Sequence, residues 1–513
     1  MRNLVFSQVK FNDVNNVLEI SRSTLSGRAI YYQIDSKGNL FCSTHISMLR
    51  KAGVKIEEDP SVLPEFFVYR YIMPPQTLYK NVEQLVAGSR LRIKLFNGKC
   101  KIASASQFTL PKQEKELKSV ENISKQVSDY LSKCIQLLSP SRDRLVVLLS
   151  GGLDSSILFK ACQTTLGIDT TCSTGYPFED PRNNVEKEYA LSAAEALQAK
   201  HEYYEPTNNE YLRGFVEAVS AAEEPIHHLQ SVMIYLLFKK GLPQSKDIAV
   251  SGFGADGCWG WALLEAMHRS SKKLFKLLLN PLMVRPFRIA SQVTGRGGYF
   301  IDTSLKWKSS RNCSLQDPNH IIWDVYRYGS EDWVCENLNV SRHDIIKDRC
   351  NAIKSMEGRS VYDIISFYAF LGETSATQSI WAKLGESQHK VLFNPFTYSD
   401  LLSYSYTIPW DLKLRTHKNI LRWTARQYGI PEFIIGRPKS GFNIRAKGWG
   451  KRGGIFDSLI PLASKVFDEN QIRNMQSSNP EKAMTFWNIL NYSVWKRLCI
   501  NNESMDVLLE ELD

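Results

Sequence analysis

The chain has 513 residues, which is enough for two domains or for one large domain with a smaller one attached. Hydrophobic residues make up 43% and charged residues 23%, a balance that excludes an intrinsically disordered chain. The net charge of +11 allows an anionic partner, but without zinc-finger spacing, an RNP motif or a long basic tail no specific nucleic acid is expected.

Cysteine usage and the N-terminal residues indicate the compartment. Ten cysteines are scattered from Cys42 to Cys499 without a CxxC pair, which predicts reduced thiols rather than a zinc site or a disulfide framework. The sequence begins without the apolar core of a signal peptide and contains no run of about 18 apolar residues. These features predict a cytoplasmic protein.

The first 112 residues are predicted to form a β-rich domain. The polar, lysine-rich stretch from Pro111 to Lys118 reads as a linker, and the apolar spacing that starts at Val120 is helical. We therefore predict two domains, residues 1–112 and 113–513. The predicted strands of the first domain are separated by turn signals and cover Leu4-Phe6, Ala29-Gln33, Asn39-Ser43 and Arg90-Leu95.

The second domain alternates buried strands with helices. Leu145-Leu149 is a short apolar run that ends at a glycine pair, and Ile168-Ser173 and Asp247-Ser251 are similar runs. Helical spacing lies between them, for example from Asn184 to Lys200. This alternation predicts an α/β fold with a doubly wound parallel sheet, followed by a mainly helical region from about residue 350.

The sequence SGGLDSS, residues 150–156, stands where the first of these strands gives way to a helix. Backbone N–H groups at a helix N-terminus bind anions, and glycines allow a polyphosphate to approach closely. The pattern is not a Walker A loop, because GxxxxGK[ST] is absent. Asp154 would repel phosphate unless a cation such as Mg²⁺ intervenes. A glycine-rich turn with an aspartate cap is the structural alternative, which the full pattern disfavours.

SGGLDSS resembles the PP-loop of the N-type ATP-pyrophosphatases, which cleave ATP between the α- and β-phosphates. Four further stretches resemble the asparagine-synthetase-like family in particular: SGFGAD at 251–256, NPF at 394–396, KLRTHKNILR at 413–422 and GRPKSGF at 436–442. The resemblance implies a PP-loop synthetase domain of the adenine nucleotide α-hydrolase-like fold. It also implies ATP and Mg²⁺ as cofactors.

The resemblance further implies the residues of the site. Asp154 and Asp256 would bind Mg²⁺, Lys418 would contact pyrophosphate, and Lys439 would be the catalytic cation that neutralises charge developing on the phosphates. Taken singly, Lys418 and Arg422 could form a basic helix face, and Lys439 could be an exposed loop lysine. The residues implied to bind the nucleotide are Leu149, Ser150, Gly151, Gly152, Asp154, Ser155, Ser156, Thr174, Gly175, Ser251, Gly252 and Lys418.

Two departures from the family bear on the source of the amine. Glutamine-dependent members carry a catalytic cysteine after the initiator methionine, where this sequence has Arg2. Residues 27–32, 40–44 and 75–82 resemble the later part of the amidotransferase-like (Ntn-type) domain, whose opening strands are missing here, so a truncated domain without glutaminase activity is expected.

The second departure is Phe253, which occupies a position where asparagine synthetases have glutamate and β-lactam synthetases tyrosine. Phenylalanine cannot transfer a proton. Either the amine arrives neutral or another group acts as its base. The candidate bases near Pro225 are Glu223, Glu224, His227 and His228.

Residues 261–310 are predicted to be a basic insertion. The amphipathic pattern at 272–279 could contact a membrane surface or a peptide substrate, but a surface helix is the simpler interpretation. Peripheral membrane contact is therefore not expected.

These features favour an AMP-forming amide synthetase that adenylates a carboxylate and does not use its own glutaminase. The resemblance suggests β-lactam synthetases and lasso-peptide macrolactam cyclases, and hence antibiotic biosynthesis with a precursor-processing protease as a possible partner. A second hypothesis is asparagine synthesis with ammonia or a partner glutaminase. A third is a catalytically weakened binding or scaffold subunit, and a fourth is tRNA modification, which the N-terminal resemblance disfavours.

Overall fold

The computed structural model describes most of the chain. Of the predicted insertion, residues 272–310 lie outside the described part, as do Arg2, the strand predicted at Leu4-Phe6, and Lys439. The described residues are 8–12, 16–25, 27–113, 119–175, 181–271, 327–346, 349, 356, 359–437, 446–477 and 479–512.

The N-terminal part consists of two antiparallel sheets, which confirms the predicted β-rich domain. In strand β6 (Arg90–Phe96), Leu91 and Ile93 are buried while Arg90 and Arg92 are exposed, so the alternating sequence directs one face inward. That face packs against Tyr32 and its neighbours on the second sheet. The strands are β1 (Gln8–Asn12), β2 (Val17–Ser21), β3 (Tyr31–Ile34), β4 (Leu40–Ser43), β5 (Glu83–Gln84), β6 (Arg90–Phe96) and β7 (Lys99–Ser106), ordered β1-β2-β6-β7 and β4-β3-β5.

The second part is built on a five-stranded sheet in which every neighbouring pair is parallel. This confirms the predicted α/β class. The chain runs outward from β8 to β9 and β10, then returns to place β11 and β12 on the other side of β8. The strands are β8 (Leu145–Leu148), β9 (Thr170–Thr174), β10 (Lys200–Tyr204), β11 (Ile248–Val250) and β12 (Val391–Phe393).

Helices connect and surround the strands. The predicted helix at Val120 begins there, where the Ser119 side chain accepts a hydrogen bond from the Asn122 N–H. None of the described helices combines the length and apolar composition needed to cross a membrane. The described helices are α1 (Ile46–Lys51), α2 (Leu63–Tyr69), α3 (Val120–Gln136), α4 (Leu153–Leu166), α5 (Pro181–Ala196), α6 (Asn208–Ala222), α7 (Gln230–Leu236), α8 (Ala255–Trp259), α9 (Ala262–Ser271), α10 (Glu331–Leu338), α11 (Val361–Ala369), α12 (Ser375–Ser387), α13 (Ser399–Thr407), α14 (Trp410–Lys413), α15 (Asn419–Gln427), α16 (Glu432–Ile435), α17 (Ala446–Trp449), α18 (Ile460–Ser464), α19 (Glu469–Asn474), α20 (Pro480–Trp495) and α21 (Met505–Glu510).

One hydrophobic core joins the two parts. Every residue of α2 is buried, and the ring of Phe67 packs against Trp333, Phe467 and Tyr492 at centroid distances of 5.0, 6.2 and 5.4 Å. The Phe67 carbonyl also accepts a hydrogen bond of 2.9 Å from the Asn488 side chain. The N-terminal part therefore packs against residues of the helical segments that follow the linker.

Candidate active site

The order of the parallel strands places a crevice between β8 and β11. The chain leaves these neighbouring strands in opposite directions, and such a switch point opens a crevice at the carboxyl ends of the strands. The loops 150–152 and 251–254 both begin at this edge. A cavity of about 360 Å³ opens between them, lined by residues of both loops.

The first loop turns directly from β8 into α4. Gly151 has φ of +70°, and a Cβ there would stand 2.2 Å from the Tyr189 carbonyl oxygen, so only glycine fits. Gly152 caps α4, and its carbonyl accepts the Ser155 hydroxyl at 3.0 Å. The Ser150 and Ser155 hydroxyls lie 3.2 Å apart. The free N–H groups at the start of this 14-residue helix face the crevice together with both hydroxyls, as an anion-binding turn requires.

The second loop comes into close contact with the first. A Cβ on Gly252 would lie 3.2 Å from the Ser155 nitrogen, so the absence of a side chain lets the two loops touch. Gly254, with φ of +94°, is backed by Thr397, whose Cγ2 would be 2.5 Å from an added Cβ. Thr397 ends the short 3-10 turn that contains the Asn394-Pro395-Phe396 motif. That motif thus supports the second loop from behind.

Lys418 joins two carboxylates at the meeting point of the loops. Its side chain is 2% exposed, and its ammonium pairs with Asp154 and, at 2.5 Å, with Asp256. Burial lowers the pKa of Lys418, but the two carboxylates outweigh burial and raise it above its ordinary value. Lys418 has φ of +50°, which places it at the start of α15 with its side chain directed into the cavity.

The carboxylate pair fits a magnesium ion. Asp154 Oδ1 is buried and receives no hydrogen bond from the described residues, so it retains an unused acceptor. Within the described ranges no three His, Cys, Asp or Glu side chains form a metal-binding group. Mg²⁺ commonly binds one or two carboxylates and takes its other ligands from water and substrate phosphates, and Asp154 with Asp256 suits that pattern.

The opposite wall of the cavity is formed by the ends of β9 and β10. The Thr174 hydroxyl donates to the Tyr204 carbonyl at 2.9 Å, and the Gly175 N–H donates to the same oxygen at 3.3 Å. A Cβ on Gly175 would lie 2.0 Å from the Tyr203 hydroxyl. This edge is therefore closely packed, with Thr174 and Tyr203 facing the cavity.

Most of the residues predicted to bind the nucleotide or metal line this cavity. Leu149 does not line it, because the residue is fully buried and its N–H donates to the Cys172 carbonyl. Three other predicted residues do not line the cavity but adjoin residues that do: Gly151, Gly175 and the buried Ser156. The predicted residues that line the cavity are Ser150, Gly152, Asp154, Ser155, Thr174, Ser251, Gly252, Asp256 and Lys418.

Arg437 contributes to the site without having been predicted. Its guanidinium donates to Glu186 at 3.1 Å and to the Ser150 carbonyl at 3.2 Å, and it stacks 3.6 Å from the centre of the Tyr189 ring. It thereby fixes α5 against the first loop. Arg437 belongs to the GRPKSGF stretch at 436–442, for which the resemblance implies a role for Lys439 alone. Lys439 itself lies outside the described residues, two positions beyond Arg437.

A histidine–glutamate pair also borders the cavity unpredicted. His417 Nδ1 lies 2.7 Å from Glu265 Oε2, and Arg422 Nε donates to the His417 carbonyl at 2.8 Å. Both His417 and Arg422 line the cavity. The KLRTHKNILR stretch contained His417 and Arg422, but their partner Glu265 stands some 150 positions earlier, so no local pattern could reveal the pair.

An apolar wall completes the cavity. The ring of Phe253 packs against that of Trp381 with centroids 4.8 Å apart. Trp381 is held by a 2.9 Å hydrogen bond from its indole N–H to the Ser231 hydroxyl. Ile234 and Leu237 from the adjoining helical segment extend the wall.

The proposed bases near Pro225 do not line the cavity. Glu223 accepts from the backbone N–H of Ile46 at 2.6 Å, and Glu224 accepts from the Tyr31 hydroxyl at 2.9 Å. Both glutamates thus hold the N-terminal part in place.

The two candidate histidines are also occupied elsewhere. His227 shares a 2.8 Å hydrogen bond with Thr377, and His228 lies 3.1 Å from Glu373. Burial lowers the pKa of both rings, which favours neutral imidazoles. Neither His227 nor His228 lines the cavity, so neither is placed to act as the base for the amine.

The sheet order and the paired loops define a synthetase domain of the PP-loop type. The family model "Asparagine synthase" matches residues 126–316 and 393–497, which is more than half of the chain, and the chain belongs to this family. A second model, "Glutamine amidotransferase domain", matches residues 4–102. The chain is thus a carbon–nitrogen ligase of the asparagine synthase type, and ATP-dependent amide synthesis is its general activity.

Curated relatives are distant. The glutamine-hydrolysing asparagine synthetase 1 of Bacillus subtilis (strain 168) is 20% identical over 526 residues, covering 98% of this chain and 78% of the relative. Argininosuccinate synthase of Rhizobium meliloti (strain 1021) is 28% identical over 200 residues, covering 34% of this chain and 47% of that protein. Identities this low leave the particular substrate open.

Proposed function

We propose that this ligase activates a substrate carboxylate as its adenylate and joins it to an amine, with release of pyrophosphate and AMP. The proposal is carried by the cluster of Asp154, Asp256 and Lys418 at the N-terminus of α4. A carboxylate oxygen of the substrate attacks the α-phosphorus, and the bond from that phosphorus to the β-bridging oxygen breaks. The amine nitrogen then attacks the acyl carbon, the bond from that carbon to the phosphate oxygen breaks to release AMP, and the proton lost by the nitrogen passes to solvent water.

The chain's own groups match the charge that develops in the first step. The N–H groups at the start of α4 and the hydroxyls of Ser150 and Ser155 would bind the departing pyrophosphate. The ammonium of Lys418 supplies a fixed positive charge in a buried position. Mg²⁺ bound by Asp154 and Asp256 would add positive charge beside the phosphates.

Lys439 is proposed as a second cation at the α-phosphate. Support comes from Arg437, which is two residues earlier and is fixed to the first loop through Ser150 and Glu186.

We further propose that the amine is not released from glutamine by this chain. Burial raises the pKa of Cys42, a cysteine of the N-terminal part, which disfavours a reactive thiolate there. Phe253 cannot accept a proton, so the amine would attack as the free base. Amine and carboxylate within one peptide would give a lactam or macrolactam, with a precursor-processing protease as a partner in antibiotic biosynthesis.

Asparagine synthesis from aspartate and ammonia, or with a partner glutaminase, is the second candidate. The observation in its favour is the relative from Bacillus subtilis, which aligns with nearly the whole of this chain. Formation of asparagine from aspartate, ammonium and ATP would select this candidate, whereas loss of one water from a peptide substrate would select ring closure.

The decisive experiment is ATP–pyrophosphate exchange by the purified chain with Mg²⁺ and a panel of carboxylates and peptides. Exchange that depends on a carboxylate, with AMP as the product when an amine is added, is the expected result. ATP binding without exchange with any carboxylate would instead indicate a scaffold subunit. Release of glutamate from glutamine alone would contradict the proposed source of the amine.

A further inference from the structure

We propose that the acyl group activated here is uncharged and apolar in the part next to its carboxylate, so that aspartate is a poor substrate. This inference rests on the proposed function and concerns the same cavity. The structural reason is the wall formed by Phe253 and Trp381, hereafter the aromatic wall.

The aromatic wall borders the place where the carboxylate must react. Phe253 follows Gly252, which touches the first loop near Ser155, and precedes Asp256 by three positions. The reacting carboxylate has to approach the α-phosphate, which the proposed function places beside these same groups. The atoms attached to that carboxylate therefore meet the aromatic wall.

The aromatic wall presents carbon rather than polar atoms. Trp381 is 8% exposed, and its only polar group, the indole N–H, is occupied by Ser231, which is itself 1% exposed. Ile234 and Leu237, which are 6% and 1% exposed, also line the cavity and add aliphatic surface to it. An apolar group placed here gains from burial, whereas a polar group would lose its hydration without a new partner.

Two described cations along the cavity are paired with carboxylates: Lys418 with Asp154 and Asp256, and Arg437 with Glu186. Arg422 donates through its Nε to the His417 carbonyl and is not part of the aromatic wall. No described lysine or arginine stacks on either ring of the aromatic wall. A second carboxylate, as in aspartate, would thus be desolvated against carbon.

Stable adenylate mimics test this directly. Calorimetry would compare 5′-O-sulfamoyladenosine carrying a 3-phenylpropanoyl group with the same compound carrying a 3-carboxypropanoyl group, using the full chain. We expect the phenylpropanoyl compound to bind about tenfold more tightly or better. Equal binding, or tighter binding of the carboxypropanoyl compound, would overturn the inference and leave the proposed function intact. Failure of ATP and of both compounds to bind would overturn the proposed function itself.

Variants connect the preference to the aromatic wall. Trp381→Ala and Phe253→Ala should each reduce the ratio of the two dissociation constants several-fold, while Trp381→Phe should keep most of it. Because Phe253 is only partly buried, Phe253→Ala remains informative even where Trp381→Ala fails to fold. Phe96→Ala, at a ring that is 63% exposed on β6, is the matched control. A ratio unchanged by Phe253→Ala would place the preference elsewhere and overturn the inference.

Discussion

Lys418 is fully enclosed by protein and still carries its charge, because two carboxylates surround its ammonium. Removal of one partner from such a buried group leaves the others without compensation. Asp154 lies in the first turn of α4, and Asp256 follows the second loop. Lys418 therefore both holds the two loops together and supplies positive charge at the cavity.

Loss of the Lys418 charge should abolish most of the exchange activity. We expect Lys418→Met and Asp154→Asn each to lower the ATP–pyrophosphate exchange rate by about 100-fold or more, since fixed charges at developing phosphate charge are worth that much. Lys133→Met, at an exposed lysine paired with Asp400, is the control and should keep the wild-type rate. Comparable rates in all three variants would remove Lys418 and Asp154 from the site.

Lys413 gives a pH-dependent prediction about stability. It is fully buried, donates to the carbonyls of Cys258 and Ser405, and burial lowers its pKa from 10.5 to about 7. Between these two pKa values the unfolded chain binds one more proton than the folded chain. The stability contributed at Lys413 therefore rises with pH in this window.

Comparison with Lys413→Met isolates this effect. From pH 7 to 9, wild type should gain free energy of unfolding relative to the variant, by at most about 1.4 kcal/mol per pH unit. Urea denaturation at both pH values measures it. Lys133→Met should show no such trend, and a pH-independent difference for Lys413→Met would mean that the buried amine does not titrate in this range.

At the scale of single residues, what could be predicted was local. Asp154 is predicted from the residue types of its own loop, whereas Asp256 and Lys418 are predicted from the resemblance of their short stretches to the asparagine-synthetase-like family. Arg437 and the pair of His417 with Glu265 could not be predicted in the same way. Their partners lie some 150 to 250 positions away, and only the folded sheet brings them together.

Among the elements, α4 has a glycine in the left-handed region at each end, which allows a matched comparison. Gly151 and Gly167 have φ of +70° and +69°, but only Gly151 has a backbone oxygen within reach of an added Cβ. The two alanine variants share the cost of the left-handed backbone, about 1 to 2 kcal/mol. Any further difference between the free energies of unfolding of the two variants measures the effect of the close contact between Gly151 and α5.

We expect Gly151→Ala to lower the free energy of unfolding by about 1 to 3 kcal/mol more than Gly167→Ala, because Tyr189 and its helix must move. Exchange activity should fall in the Gly151 variant alone, since only that loop borders the cavity. Chemical denaturation and the exchange assay measure the two effects. Equal stability and equal activity would contradict the close contact between the first loop and α5.

Two strands of the five-stranded sheet were not predicted, for separate physical reasons. β10, with the sequence KHEYY, is polar and begins where the predicted helix was expected to end, so neither apolar content nor periodicity separates it from its surroundings. β12 has three residues, VLF, in a region of helical spacing. Both are outer strands of the sheet, and pairing with β9 and β11 rather than intrinsic preference determines them.

For the whole molecule, the prediction of a boundary near residue 112 came from the composition of the linker. The composition of a segment indicates whether that segment is exposed, but it does not indicate which distant surfaces pack together. The core continues from α2 into α20 across that boundary, while only a small separate cluster around Ile93 belongs to the β-sheets alone. The two parts should therefore unfold together.

Tryptophan fluorescence can test this cooperation, because all 11 tryptophans lie at or after Trp259. Phe67→Ala removes a ring that is 1% exposed and should cost about 3 to 5 kcal/mol. Phe67 precedes the linker, but if the two parts unfold together, the urea midpoint measured by tryptophan fluorescence should fall. Ile93→Ala, in the separate cluster, should shift that midpoint less. An unchanged midpoint in Phe67→Ala would show that the two parts unfold independently.

The contacts of Phe67 with residues far along the chain also determine when α2 can become buried during biosynthesis. Trp333, Phe467 and Tyr492 leave the ribosome some hundreds of residues after Phe67. At about 5 to 20 residues per second, that delay amounts to tens of seconds. During this time α2, all of whose residues are buried in the finished protein, lacks these later partners. The nascent chain should therefore need chaperone protection near its beginning until its last helices are made.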